Sequence, residues 1–294
     1  MPRTVNQYVK DTYGRKLYKI SINAGFTCPN RDGTCGMGGC IFCSEGGSGD
    51  FAGNPVDSVL DQIEAGKEFL AKKFQPERPD SYIAYFQAFT NTYAPVEKLR
   101  PLYEEAISHE DVVLVSIATR PDCLGRDVLD LLSEMNQKKP VWVELGLQTS
   151  KESSAEFIRR GYPNGVYEKT VKNLKDRGIK VITHVILGLP GESYEDMERT
   201  VRYVVEQGSW GIKLQLLHVL SGTDLGRIYE REPFFVFTME EYVDCVARLC
   251  ALLPEDMVVH RLTGDGPRSL LLAPTWSTDK KRVLNALRKR LDFL

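Results

Sequence analysis

The sequence predicts an α/β fold built as a partial (β/α)6 barrel of the TIM type, with a helical extension at the carboxyl end. Over about residues 17–237 of the 294-residue chain, six short apolar segments alternate with segments of helical periodicity. Each apolar segment is nearly continuous, as in parallel strands that are buried on both faces. Parallel strands joined by helical crossovers curl into a barrel, and barrel enzymes place their chemistry at the carboxyl ends of the strands.

The elements follow one another in a regular order. Strands are expected at about 17–24 and then from about residues 81, 112, 141, 180 and 211. Helices are expected at about 54–74, 95–108, 125–137, 162–177 and 194–207. Asn54 is the expected N-cap of the first of these helices, with Pro55 at its first position.

The carboxyl-terminal part, about 238–294, is expected to close one side of the barrel, so that residues 1–294 form a single domain. It contains a helical segment at about 238–253, the short strand MVVHRL and a basic terminal helix. That helix carries an apolar stripe formed by Val283, Leu284, Leu287 and Leu291. It also carries two basic groups, the first formed by Lys280, Lys281 and Arg282 and the second by Arg288, Lys289 and Arg290. Two interpretations are open, a solvated helix docked on the core and a surface that contacts phosphates.

Composition indicates a cytoplasmic globular protein. Hydrophobic residues make up 42% and charged residues 27%, and no apolar run approaches the roughly 20 residues that span a bilayer, so no membrane partner is expected. The amino terminus lacks the apolar core of a secretory signal. The chain has seven cysteines, an odd and clustered set that favours metal or cluster ligation in a reducing compartment over disulfides. A net charge of -2 makes no general case for nucleic acid.

Four cysteines lie in one glycine-rich segment, CPNRDGTCGMGGCIFC at residues 28–43, directly after the first strand. Three thiolates hold three irons of a [4Fe-4S] cluster and leave the fourth iron open, whereas four thiolates close a tetrahedral zinc site. Only Cys40 and Cys43 form a C-x2-C pair, while structural zinc sites usually use two such pairs. The pattern therefore favours an open cluster on Cys28, Cys40 and Cys43, with Cys35 unligated.

A cysteine loop after the first strand of a six-unit barrel, ending in C-x-F-C, resembles the radical S-adenosylmethionine (SAM) enzymes. The long first gap is similar to the branch related to the catalytic subunit of Elongator, and CPNRDGT with GGCIFC resembles its bacterial YhcC/YtqA-like members. The resemblance covers almost the whole chain. It implies a [4Fe-4S] cluster whose open iron binds SAM, reductive cleavage of SAM, and a 5'-deoxyadenosyl radical that takes hydrogen from a substrate.

The resemblance also implies contacts to SAM. Phe42 matches the aromatic position near the adenine, and Gln148 of VELGLQT matches a position that makes a polar contact to SAM. His184 of THVILGLPGE matches the position that reaches the ribose. Thr90 of QAFTNT lies where the family has a glycine-rich segment that meets the SAM amino group. Arg160 of RRGYP matches the basic position that neutralises the SAM carboxylate, because an arginine fork suits a planar carboxylate.

Several of these assignments have simpler competitors. A lone histidine on an apolar strand, such as His184, is more often a satisfied core residue, and Arg160 also fits a solvated helix. The segment ATRPD resembles the family's ETRPD, but Ala118 replaces the acidic residue, so a SAM contact expected there comes from elsewhere or is absent.

The function implied by the resemblance is modification of tRNA, at the side chain of a wobble uridine, with a flavodoxin or ferredoxin as the reductant. Nothing resembles the acetyltransferase domain of the Elongator subunit, so acetyl-CoA is not expected. Phosphate contacts are expected from the terminal helix and from the basic residues near the amino terminus: Arg3, Lys10, Arg15, Lys16 and Lys19. The alternatives are a radical SAM enzyme acting on a small metabolite or protein, and a zinc-stabilised binding module without catalysis.

Overall fold

A parallel sheet of eight strands forms the centre of the computed structural model, which describes residues 2–47, 49, 52–75, 79–264 and 266–291. Its strands are β1 (Arg3–Thr4), β2 (Tyr18–Ile22), β3 (Tyr82–Phe86), β4 (Val112–Thr119), β5 (Val141–Gln148), β6 (Lys180–Leu187), β7 (Gly211–Leu216) and β9 (Val258–Arg261). The sheet order is β1-β9-β7-β6-β5-β4-β3-β2, and every neighbouring pair is parallel. A separate antiparallel pair is formed by β8 (Val219–Leu220) and β10 (Leu271–Ala273).

Helices connect the strands. They are α1 (Val5–Tyr13), α2 (Val59–Lys73), α3 (Val96–Ser108), α4 (Arg126–Lys138), α5 (Glu152–Phe157), α6 (Asn164–Lys175), α7 (Tyr194–Glu206), α8 (Asp224–Arg231), α9 (Met239–Cys250) and α10 (Lys280–Arg290). The six predicted strands correspond to β2 through β7, and the sheet curls into a half-barrel as predicted. Among the described helices, none is both long and apolar enough to cross a membrane.

Apolar side chains pack on the faces of the sheet and at the amino ends of its strands. The larger layer lies between the sheet and its helices. The smaller layer covers the amino ends, where Tyr8 of α1 packs edge-to-face against Trp210 and Trp142, with ring centroids 4.8 and 6.2 Å away. Because α1 occupies the amino end, the space for a ligand is at the other end.

The predicted start of the first barrel helix is wrong. Helix α2 begins at Val59, and its N-cap is Ser58, whose hydroxyl accepts a 3.0 Å bond from the Asp61 N–H. Asn54 instead accepts a hydrogen bond from the Val56 N–H within the preceding turn. Asparagine suits turns and N-caps alike, so sequence alone did not separate the two roles.

The carboxyl-terminal segment lengthens the sheet. Strand β9 pairs in parallel with β7 on one side and β1 on the other. Helix α10 packs against α9, with Val283 and Leu287 fully buried and its basic residues exposed. The predicted apolar stripe of the terminal helix therefore does face the core.

Candidate functional site

A cavity of about 1200 Å³ opens at the carboxyl ends of the barrel strands. Its wall includes the cysteine loop, the ends of β3 through β7, and parts of the segment 261–280. All eight predicted site residues line this one cavity: Cys28, Cys40, Phe42, Cys43, Thr90, Gln148, Arg160 and His184. Their sequence positions span more than half of the chain, so the fold alone brings them together.

The cysteine loop is held in shape by its own backbone. The Cys28 carbonyl accepts from the Arg31 N–H at 2.8 Å, and the Cys40 carbonyl accepts from the Cys43 N–H at 3.0 Å. Gly38 and Gly39 have φ angles of 77° and 87°, a left-handed conformation that glycine adopts without strain. The glycines thus let the loop fold back so that Cys28, Cys40 and Cys43 line the cavity.

The thiols of Cys40 and Cys43 lie side by side within this loop. Contact with the Cys43 thiol lowers the pKa of Cys40 to about 7; burial opposes this shift, while Arg120 and Arg31 reinforce it. The Asn30 amide lies 3.5 Å from the Cys40 sulfur and also donates to the Arg159 carbonyl at 2.5 Å. Soft thiols next to two guanidinium groups are a donor set suited to an iron–sulfur cluster.

Cys35 differs from the other three loop cysteines, which are partly buried. Its side chain is exposed, and its sulfur lies 3.9 Å from an Asp122 carboxylate oxygen. Within the described part of the chain, no three or more His, Cys, Asp or Glu side chains surround a position for a single metal ion. A [4Fe-4S] cluster, by contrast, spreads its thiolate ligands over separate irons. Cys28, Cys40 and Cys43 on one cavity wall therefore fit the cluster better than a four-thiolate zinc site.

Gln148 has the backbone and side-chain features of a ligand-facing residue. Its φ of 69° is unusual for a residue other than glycine, and the register of β5 against β6 shifts between Gly146 and Gln148. Its amide oxygen is buried and has no hydrogen-bond partner among the described residues. An unpaired buried acceptor at a strained position is typical of functional sites.

Arg160 is buried, and its guanidinium is fully engaged inside the protein. It donates to the backbone carbonyls of Leu147 at 3.1 Å, Thr149 at 2.8 Å and Tyr162 at 2.7 Å. It also donates to the side chains of Glu152 and Asn164, at 3.3 and 3.0 Å. The solvated-helix interpretation of Arg160 is wrong, because only 1% of the residue is exposed. The guanidinium fixes the end of β5, where Gln148 lies.

His184 is bound on both ring nitrogens. Its Nε2 lies 2.7 Å from the Glu144 carboxylate, and its Nδ1 lies 3.3 Å from the Gln215 amide nitrogen. Burial and the charge of Lys213 lower the pKa of His184 to about 4, although Glu144 opposes the shift. The ring is therefore neutral near pH 7, with Nε2–H as donor and Nδ1 as acceptor.

Glu144 is the centre of a buried polar group that the sequence reasoning missed. It accepts hydrogen bonds from five side chains: Lys19, Tyr85, Ser116, His184 and Lys213. Burial opposes ionisation of Glu144, but Lys19, Lys213 and His184 hold its pKa well below the usual range. One feature of the sequence indicates this buried group: each of two apolar strands, VWVELGL and GIKLQLL, contains a single charged residue. Charged residues are rarely buried without a partner, so the two can be expected to pair.

Of the amino-terminal basic residues predicted to contact phosphate, Arg3, Lys10, Arg15 and Lys16 are exposed, whereas Lys19 is partly buried. Lys19 points into the barrel, with its ammonium nitrogen 3.1 Å from Glu144. Arg3 pairs with Asp11 at 3.7 Å, and Lys10 belongs to α1, which covers the amino ends of the strands. Lys19 therefore lies outside any exterior phosphate surface, and its side chain lines the cavity instead.

Comparisons with known proteins agree with this geometry. The family model described as the Radical SAM superfamily matches residues 27–204, and the Radical SAM C-terminal domain matches residues 209–292. YtqA of Bacillus subtilis (strain 168) is 45% identical over 289 residues, covering 98% of this chain and 89% of YtqA. These matches confirm the resemblance to radical SAM enzymes.

More distant relatives lie in the Elongator-related branch. A Methanocaldococcus jannaschii protein named tRNA uridine(34) acetyltransferase is 26% identical over 297 residues, which cover 88% of this chain and 53% of that protein. The archaeal Elp3 of Methanocaldococcus infernus has a similar structure, with a TM-score of 0.68 over 90% of this chain and 63% of that chain. At 17% identity, the structural match shows a shared fold.

Proposed function

Because the chain belongs to the radical SAM superfamily, we propose that it is a tRNA-modifying enzyme that acts on the side chain of a wobble uridine. The cofactors are a [4Fe-4S] cluster and SAM. When bound, the reduced cluster supplies the electron that cleaves SAM and so starts hydrogen abstraction from the substrate. In this proposal Cys28, Cys40 and Cys43 hold the cluster, and a flavodoxin or ferredoxin supplies the electron.

The proposed SAM contacts are assigned from the hydrogen-bonding atoms and the apolar surface that each side chain has available. The unpaired Gln148 oxygen accepts a hydrogen bond from SAM, and Phe42 offers an apolar surface that packs against a buried cluster containing Ile186 of β6. Thr90 contributes at the turn after β3, where its own N–H is bound to the Thr27 carbonyl at 3.3 Å. His184 has both nitrogens engaged, so its role is to hold Gln215 and Glu144 in place at the cavity wall.

Arg160 has a different role in this proposal from the one that the family resemblance implies. Its five N–H groups are directed at protein acceptors, so they are not available to a SAM carboxylate. We assign it as a positioning residue that holds the backbone on either side of Gln148.

The observation that carries the tRNA proposal is the charge of the cavity beside the cysteines. Of the described residues that line it, one is acidic, Glu144, and nine are basic: Lys19, Arg31, Lys73, Arg120, Arg160, Lys213, Arg261, Arg268 and Lys280. Lys280 also begins α10, whose exposed cations extend the positive surface away from the cavity. A basic surface that leads into a basic cavity suits a polyanion whose target nucleotide enters the site.

Nucleoside mass spectrometry of bulk tRNA tests this proposal. A strain lacking the gene should show an altered wobble-uridine nucleoside, and wild-type protein should restore it while a Cys40→Ala variant should not. A Cys250→Ala variant is the matched control, because that thiol is buried in α9 away from the cavity. An unchanged nucleoside profile would refute the tRNA assignment and favour a metabolite or protein substrate.

A further inference from the structure

Deep in the barrel, five polar side chains form what we call the interior charged cluster: Lys19, Tyr85, Glu144, His184 and Lys213. All five line the cavity. The Lys213 side chain is 2% exposed and that of Glu144 is 0% exposed. Glu144 lies four residues before Gln148 on β5, which places it about 13 Å below the strand end. The cluster is thus the lower wall of the cavity, away from its mouth.

The acceptors of this cluster are saturated. Besides its lysine contacts, the Glu144 carboxylate receives Ser116 at 2.8 Å, His184 at 2.7 Å and Tyr85 at 3.1 Å. Five donors on two oxygens exceed the roughly four lone-pair sites that a carboxylate offers. Glu144 therefore has no capacity left to accept a hydrogen bond from a ligand.

The donors, in contrast, are in surplus. The Lys213 ammonium reaches Glu144 and the Tyr85 oxygen, the latter at 3.2 Å, which accounts for two of its three N–H groups. Lys19 donates to Glu144, and its ammonium lies 4.5 Å from the centre of the Tyr85 ring. Any ligand that completes this wall must accept hydrogen bonds from ammonium groups.

The cluster also carries more positive than negative charge. Lys19 and Lys213 are balanced by one carboxylate, and Arg261 lines the same cavity with no ion-pair partner among the described residues. Burial lowers the pKa of Lys213 although Glu144 opposes the shift, and Lys19 and Arg261 lower it further. A buried cation whose protonation is disfavoured in this way is stabilised by an added negative charge.

We propose that Lys213 and Lys19, supported by Glu144 and Tyr85, bind an anionic oxygen group of the substrate at the bottom of the cavity. The group is a carboxylate or a phosphate, since both present several acceptor oxygens to ammonium donors. Glu144 orients the two lysines through its short contacts, and Tyr85 fixes the Lys213 ammonium from the other side. Lys213 is then a specificity-determining residue for an anionic substrate.

This inference rests on the proposed function for its biological meaning. In a tRNA substrate the oxyanion is either a carboxylate carried on the modified base or the phosphate of the target nucleotide. The inference itself concerns the pocket, so it is tested without tRNA.

Isothermal titration calorimetry on the cluster-reconstituted, SAM-free protein tests the oxyanion site, with inorganic phosphate in one series and acetate in the other. We expect saturable binding of at least one anion to the wild type. Lys213→Met should bind that anion with an affinity lower by roughly tenfold or more, because a charge-assisted hydrogen bond is lost. The anion that binds more tightly identifies the oxyanion as phosphate or carboxylate.

Two further variants keep the test decisive. Lys172→Met is the matched control: it removes the same charge from an exposed lysine of α6 that pairs with Asp176 at 2.6 Å, and it should bind as the wild type does. If Lys213→Met does not fold, the double variant Glu144→Gln with Lys213→Met removes both charges and leaves no unpaired carboxylate. Loss of binding in the double variant then supports the inference.

Two results would overturn the inference: no saturable binding of either anion to the wild type, or wild-type affinity in the Lys213 variants. Its failure is separable from failure of the tRNA assignment. Intact oxyanion binding with an unchanged tRNA nucleoside profile removes only tRNA as the substrate. An altered profile without oxyanion binding removes only the role of Lys213.

Discussion

Replacing Arg160 with methionine should destabilise the protein strongly, because its guanidinium satisfies buried backbone carbonyls. The carbonyls of Leu147, Thr149 and Tyr162 accept from it, and these residues are 0%, 1% and 7% exposed. A buried acceptor left without a partner costs about 1–3 kcal/mol. Three such acceptors give about 3–9 kcal/mol, and local relaxation places the expected loss near the lower end, about 4 kcal/mol.

The neighbouring arginine provides a matched control for this substitution. Arg159 has a side chain that is 53% exposed and pairs with Asp224 at 2.5 Å. An exposed ion pair contributes less than about 1 kcal/mol, so Arg159→Met should change stability little. Both variants lose one positive charge within one residue of each other, so a difference between them reflects the buried hydrogen bonds.

Urea unfolding of the two variants, followed by circular dichroism, measures the loss in stability. In thermal melts the Arg160→Met variant should melt about 10 °C below the wild type, at roughly 2–4 °C per kcal/mol for a protein of this size. SAM binding by the reconstituted Arg160→Met protein is measured alongside. If the Arg160→Met variant is as stable as the wild type but binds SAM much more weakly, the guanidinium faces the SAM carboxylate. That result would refute the positioning role.

Three further predictions concern pH, backbone space and surface charge. The folded-state pKa of His184 is about 4, below its ordinary 6.5, so the unfolded chain binds a proton first as the pH falls. This group should therefore lower the stability of the wild type by about 2 kcal/mol between pH 7 and pH 5. Urea titrations at the two pH values should show a smaller loss of stability in His184→Gln. Gly226→Ala should lower the melting temperature by several degrees, since its Cβ would lie 2.1 Å from the Leu220 carbonyl oxygen, whereas Gly165→Ala, with nothing within 4 Å of the new Cβ, should leave it unchanged or raised. Lys281→Glu combined with Arg282→Glu on α10 should weaken tRNA binding and flatten its salt dependence in filter-binding assays, while Lys172→Glu should do neither.

The sequence predicted those parts of the fold whose signals are local. Continuous apolar segments located β2 through β7, because strands buried on both faces exclude polar residues at nearly every position. The glycines and cysteines of residues 28–43 located the loop, because glycine conformation and cysteine spacing are read along the chain. The start of α2 was missed, since Asn54 and Ser58 are both good caps and only tertiary packing selects between them.

The parts of the site that were not predicted depend on contacts between distant residues. Lys19 and Glu144 are 125 positions apart and Glu144 and Lys213 are 69 apart, so nothing local shows that they meet. For Arg160 the sequence allows a SAM contact or a solvated residue, and the backbone carbonyls that it binds in the fold have no sequence signature. Buried polar groups pair through the fold, and only the fold identifies their partners.

The most direct test of the account is SAM cleavage by the cysteine variants. Each protein is purified and reconstituted with iron and sulfide under anaerobic conditions, reduced with dithionite, and assayed for 5'-deoxyadenosine by liquid chromatography. Wild-type and Cys35→Ala protein should cleave SAM, whereas Cys28→Ala, Cys40→Ala and Cys43→Ala should not. Loss of cleavage in Cys35→Ala, or bound zinc without iron in the wild type, would contradict a three-cysteine cluster that leaves one iron open for SAM.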